Sequence, residues 1–140
     1  MGKTRAHTAY KLKDGTRVRG VTTVINNLGW NKNVLVAWAK RTALAGQDPT
    51  KVMEEAGAIG TLAHHLCEMH IRGEKPDLVD YSAEQIEKAE NAFLGYLEWE
   101  KMVKPKYEAI ELVMVSEKYK VGGTADFLAR INGTLVLGDF

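Results

Sequence analysis

The sequence predicts an α+β fold, helices first and an antiparallel β-meander last. Three observations predict it. Apolar residues recur with a helical period as far as Pro105, the period then falls to two, and an Asn132-Gly133 pair divides the final alternating stretch. The 140 residues are 45% hydrophobic and 26% charged, which fits one folded domain over 1–140 and excludes disorder as its main state.

The elements follow in order. Tyr10 to Val18 holds Asp14-Gly15 between two short alternating runs, the pattern of a β-hairpin. Thr22 or Thr23 can cap a helix through Ile25, and after Leu28-Gly29-Trp30 a second helix is expected from about Asn33 to Ala45, with Gly46 as its stop. Trp38 shares a face of that helix with Leu35, so Trp38, with Trp30, is expected in the core rather than as a base-stacking platform. Asp48-Pro49 reads as N-cap and first residue of a helix to about Ile71, ended by Gly73. Gly57 and Gly60 each cost that helix up to about 1 kcal/mol against alanine, so a close approach is expected there. Ser82 and Gln85 form a capping box, and Ile86, Ala89, Phe93 and Leu97 continue a helical stripe until Pro105 ends it.

Beyond Pro105, a strand over Tyr107–Ser116 is apolar on both faces except at Glu111. A second strand is expected from about Gly122 to Ile131 and a third from Thr134 to Phe140. Gly122-Gly123 marks a bulge, a close backbone approach or a plain turn.

Charge and cysteine content narrow the function classes. Residues 1–41 carry nine Lys or Arg against one acid, Asp14, whereas 42–140 carry ten against seventeen, so a net charge of +1 hides a dipole of +8 and −7. Lys11, Lys13, Arg17, Arg19, Lys32, Lys40 and Arg41 can supply phosphate contacts, or form a solvated basic surface. The single cysteine, Cys67, makes no internal disulfide and no CxxC zinc site, and reads as a small buried apolar residue. No apolar run nears the roughly 18 residues of a membrane span, and the first fifteen residues lack the apolar core of a secretory signal, so a cytoplasmic location with no membrane partner is expected.

The register of the last hairpin carries the chemistry. A two-residue Asn132-Gly133 loop sets Ile131 opposite Thr134, and the same count sets Asp126 opposite Asp139. Opposed side chains share a sheet face with Cβ atoms about 4.5–5.5 Å apart, where two negative charges repel unless a cation neutralises them. Aspartate is also depleted in strands, so a local rule is broken twice at matching positions. Carboxylate oxygens suit Mg²⁺ or Mn²⁺, which bind phosphate and activate water. On the preceding helix His64 and Glu68 lie four apart on one face, with Leu62, Leu66 and Met69 on another. His65 and His70 read as surface or satisfied core residues, and His64-His65-x-x-Glu68 lacks the glutamate between two histidines that zinc proteases require.

Taken in order, Gly60-Thr-Leu-Ala-His64, Arg72-Gly73, Glu111, Gly123-Thr-Ala-Asp126 and Leu137-Gly-Asp139-Phe140 resemble the RecB-like branch of the PD-(D/E)XK nucleases. Gly20-Val-Thr-Thr-Val24, Leu28-Gly-Trp30 and Leu35-Val-Ala-Trp38 are similar to phage and prophage members, and the likeness covers about 18–140. The resemblance implies a restriction-endonuclease-like core: a basic hairpin and helices over 1–80, then a core helix and sheet over 81–140. It implies a metal-dependent DNA nuclease, acting as an exonuclease or on single strands. Asp126, Asp139 and Glu111 would be its catalytic acids, and His64, Asp126, Asp139 and the Phe140 carbonyl its metal ligands. Lys11, Lys13, Arg17, Arg19, Lys40 and Arg41 are the DNA-binding candidates. Mg²⁺ or Mn²⁺ would be the cofactor, the imidazole favouring Mn²⁺. DNA and proteins of recombination or replication would be partners in a bacterial host cell.

The family's last motif runs Asp-x-Lys. Asp139 and Phe140 match it and the sequence ends before the lysine, so a chain truncated just short of that residue is expected, able to bind metal but missing part of its catalytic apparatus. An open final strand could pair with a second copy. Two alternatives stand beside the nuclease: a non-catalytic, nuclease-like module for DNA binding or protein association, and a phosphoesterase for small nucleotides.

Overall fold

A computed structural model describes residues 9–140 of the chain. The fold is mixed α+β, with four helices and a four-stranded open sheet among the described residues. The chain divides into two compact units, one of Glu55–Leu112 with Ala125–Phe140 and the other of residues 9–54 with Val113–Thr124.

In the second unit the expected hairpin is present. Val18 N–H donates to the Tyr10 carbonyl and Leu12 N–H to that of Thr16, both at 2.9 Å, and Lys11 bridges Arg17 antiparallel. Asp14 Oδ1 accepts from Thr16 N–H at 2.8 Å, the side-chain-to-backbone turn that aspartate favours. Strand β1 (Arg19–Gly20) follows, then α1 (Val21–Asn26) and α2 (Lys32–Leu44). Gly20, not Thr22 or Thr23, is the N-cap of α1, and no side chain caps it.

Trp30 corrects the sequence expectation: it is 78% exposed, and so are Leu35 and Val36 by more than half. Apolar periodicity identifies the apolar face of a helix but not whether anything covers it. No residue of α1 and only Thr42 of α2 is buried.

Helix α3 (Pro49–Arg72) begins as read, with Asp48 Oδ1 accepting from Thr50 N–H at 2.9 Å, and it runs into the first unit. There it packs against α4 (Ala83–Val103) through Leu62, Leu66 and Ala89, bordered by Ile59, Ile86 and Phe93. A fully buried leucine contributes roughly 1.5–3 kcal/mol through removal of apolar surface from water. The capping box is complete: Ser82 Oγ accepts from Gln85 N–H at 3.2 Å and Gln85 Oε1 from Ser82 N–H at 3.0 Å. Lys104, left-handed at φ 51°, ends α4 before Pro105. The close approach expected at Gly57 and Gly60 is absent, since a Cβ at either would meet nothing within 4 Å.

Three longer strands follow, β2 (Lys106–Ser116), β3 (Val121–Ile131) and β4 (Thr134–Gly138). β3 lies between β2 and β1, and β4 also pairs with it. The meander is therefore joined by a parallel partner: β1 pairs with the start of β3, Arg19 with Val121 and Gly20 with Gly122. No local pattern announces a two-residue strand whose partner lies a hundred residues on. Gly122 is a point of close approach, but to a side chain: a Cβ there would fall inside the Tyr10 ring, whose hydroxyl lies 3.0 Å from Thr124 Oγ1.

The other end of β3 carries the predicted register. Ile131 pairs with Thr134 and Phe127 with Gly138 around Asn132 (φ 49°) and Gly133 (φ 80°), both left-handed as a type I′ turn requires. β4 ends at Gly138, so Asp139 and Phe140 lie past the strand rather than in it.

Candidate metal centre

Three side chains from α3, β3 and the residues after β4 converge in the first unit. His64, Asp126 and Asp139 each offer a ligand atom, and these atoms all lie within 4.8 Å of one another. The helix presents His64 from the face opposite Leu62 and Leu66, which are held in the α3–α4 core. The turn register brings the two aspartates together. At Gly138 a Cβ would overlap the Phe127 ring, so only glycine lets the chain pass that close before Asp139.

His64 Nδ1 lies 3.1 Å from Asp126 Oδ2. That same oxygen accepts from Phe140 N–H at 2.8 Å. The Asp126 carboxyl is 14% exposed and His64 43%, so the carboxylate is drawn inward while the imidazole remains reachable from water.

The Asp126 pKa is raised, first because burial disfavours the charged form. The Phe140 N–H opposes that shift, the hydrogen bond that the protonated Asp126 carboxyl donates to Asp139 and the negative charge of Asp139 add to it, and His64 counters it. Two carboxylates and an imidazole in this relation fit a hard divalent cation. Cis ligands about 2.1 Å from an octahedral ion stand roughly 3 Å apart, close to the observed separation of the His64 and Asp126 atoms.

The remaining site residues stand as follows. Phe140 reaches the group through its N–H. Glu111 is half-buried in β2 with a left-handed φ of 54°, a backbone conformation costly for a non-glycine residue, and the converging group does not include it. Glu68, buried on α3, accepts from Arg72 Nε at 3.0 Å, which gives the Arg72-Gly73 pair a structural role. Cys67 is buried, burial pushes its thiol up to about 12, and the converging group does not include it. Lys11, Lys13, Arg17, Arg19, Lys40 and Arg41 are all exposed and belong to the second unit.

His65 and His70 have partners. His65 Nε2 accepts from Asp77 N–H at 3.4 Å, and His70 Nε2 lies 2.8 Å from Glu100 Oε2. Glu100 also accepts from the Tyr96 hydroxyl at 2.8 Å, and that oxygen lies 2.7 Å from the Tyr107 hydroxyl, which ties α3, α4 and β2 together. A cavity of about 480 Å³ adjoins the metal group, with His64 and Asp139 in its wall beside Tyr96, Trp99, Phe127 and Phe140. Of these aromatics, sequence reasoning singled out only Phe140; Tyr96 and Trp99, three apart on one helix, were the available signal for two of the others.

Comparison of the chain with protein-family models, curated proteins and solved structures returned no match.

Proposed function

We propose that this chain is a divalent-metal-dependent DNA nuclease of RecB-like PD-(D/E)XK type, hydrolysing phosphodiesters from a DNA end. The observation that carries the reading is the convergence of His64, Asp126 and Asp139, two like charges and an imidazole whose atoms lie within 4.8 Å. When bound, Mg²⁺ or Mn²⁺ would polarise the phosphate and activate a water. The protein's own residues do the rest. Asp126 and Asp139 supply the negative charge that draws the cation, and Phe140 N–H fixes the Asp126 carboxylate in place. His64 contributes an imidazole nitrogen from α3, and the aromatic cavity lies beside it. The agreement of Asp139-Phe140 with the start of an Asp-x-Lys motif gives the reading its family.

The test is degradation of linear DNA in Mn²⁺ by this chain and by a form carrying a lysine after Phe140. Asp126→Ala is expected to lower the rate about 100-fold or more, as loss of a direct ligand should exceed the cost of losing its supporting partners. Equal degradation by the lysine-bearing form and its Asp126→Ala variant overturns the assignment.

A second reading has its own observation. Lys11 and Arg17, like charges, face each other across the hairpin, an arrangement that repels unless an anion lies between them. A module that holds DNA phosphates there without cutting would bind DNA in the absence of metal. Its affinity would fall steeply with salt, and Lys11→Ala with Arg17→Ala would make that fall shallower.

A further inference from the structure

The cavity beside the metal group has the build of a base-binding site. Its 480 Å³ lies within the roughly 300–1,000 Å³ of small-molecule pockets. Four rings form its wall and hold one another: Phe140 stands edge-on to Tyr96 at 5.4 Å and tilted to Phe127 at 5.2 Å, and Trp99 lies 6.0 Å from both Tyr96 and Phe127. The Tyr96 hydroxyl is engaged by Glu100 and Tyr107, which anchors that ring. Polar groups enter the wall chiefly as His64 and Asp139, members of the metal group, so an occupant would have one flat apolar part and one anionic part beside the cation.

Gly60 supplies a separate observation. It lines the cavity from the middle of α3, where glycine costs the helix up to about 1 kcal/mol, yet a Cβ there would meet nothing within 4 Å. Gly57 on the same helix is equally open but does not line the cavity, so Gly60 is the position of the two from which a larger side chain would narrow it.

We propose that this cavity receives the nucleobase of the nucleotide whose phosphate is held at the His64–Asp126–Asp139 group. The inference rests on the nuclease reading and names its substrate as DNA with an unpaired base at the site. A base stacked and paired within a duplex cannot enter a walled cavity without being extruded. Stacking on aromatic rings is indifferent to base identity because every base has a π-face, so the site would accept all four bases.

The experiment uses thymidine 5′-monophosphate and abasic deoxyribose 5-phosphate as probes, with Mg²⁺, measured by calorimetry. Trp30→Phe with Trp38→Phe leaves Trp99 as the only tryptophan of the three, so its emission reports the cavity. The nucleotide is expected to bind roughly 5- to 150-fold more tightly than the abasic phosphate, and to quench Trp99. Gly60→Leu fills the space without removing a buried side chain and should reduce the nucleotide to the abasic affinity while Mg²⁺ binding persists. Trp99→Leu should do the same. If Mg²⁺ and the abasic phosphate bind but the base adds nothing, or Gly60→Leu leaves nucleotide affinity unchanged, the base site is overturned and the nuclease reading stands. If neither Mg²⁺ nor Mn²⁺ binds, the nuclease reading falls and this inference with it.

Discussion

Asp126 is where the site and the stability of the protein meet. Its carboxyl lies above the usual carboxylate range because burial, then Asp139, disfavour its charge more than Phe140 N–H and His64 favour it. A carboxyl whose folded pKa exceeds its unfolded pKa destabilises the fold at every pH above the folded value. That penalty lessens as pH falls through the folded pKa and is gone below the unfolded one. Between neutral pH and the unfolded value near 3.8, wild type should therefore gain stability on acidification relative to Asp126→Asn, which has no such group. Urea midpoints of the two proteins across this range, without metal, measure the difference; parallel curves would remove the burial and repulsion ascribed to Asp126. The same substitution should weaken Mn²⁺ binding about 100-fold, by removing a charged ligand.

Among the elements, α4 owes its start to local chemistry and α3 carries a local cost. The Ser82–Gln85 box satisfies two otherwise unpaired N–H groups, so Ser82→Ala should cost about 1 kcal/mol. Gly57 is exposed on α3 with open space around it, and Gly57→Ala should stabilise by up to about 1 kcal/mol. Denaturant midpoints at unchanged slope read both. The β3–β4 hairpin is the element on which the site depends. Asn132 and Gly133 both take left-handed dihedrals, and shifting the register by one residue would send Asp126 and Asp139 to opposite faces. At the end of the same hairpin, Gly138 under the Phe127 ring ends the ladder and lets Asp139 leave the strand.

For the molecule as a whole, metal binding should be coupled to folding, because the His64–Asp126–Asp139 arrangement exists only when α3, β3 and the residues after β4 are assembled. Mn²⁺ at about 100 times its dissociation constant should stabilise by about 2.7 kcal/mol. For a chain of this length that is a rise of roughly 10 °C in Tm. Chelation should reverse the rise, and Asp126→Asn, binding about 100-fold more weakly, should keep only about 0.4 kcal/mol of it at the same Mn²⁺ concentration; an equal rise in the variant would place the ion elsewhere. No helix among the described residues is long and apolar enough to cross a membrane.

The sequence by itself determined the features that local chemistry controls. The starts and stops of α2, α3 and α4, the change of period after Pro105, and the Asn-Gly turn with its register were all readable, because caps, breakers and turn dihedrals act within a few residues. The closeness of Asp126 and Asp139 was legible for the same reason, since arithmetic along one hairpin needs no distant contact, although the ladder stops at Phe127 and Gly138, one position short of a paired Asp126 and Asp139. Tertiary structure alone decided the parallel pairing of β1 with β3, the exposure of Trp30, the left-handed backbone of Glu111 and the aromatic cavity. Each of these depends on which surfaces meet, and residues far apart in sequence come together through the sum of many small packing terms that no local pattern encodes.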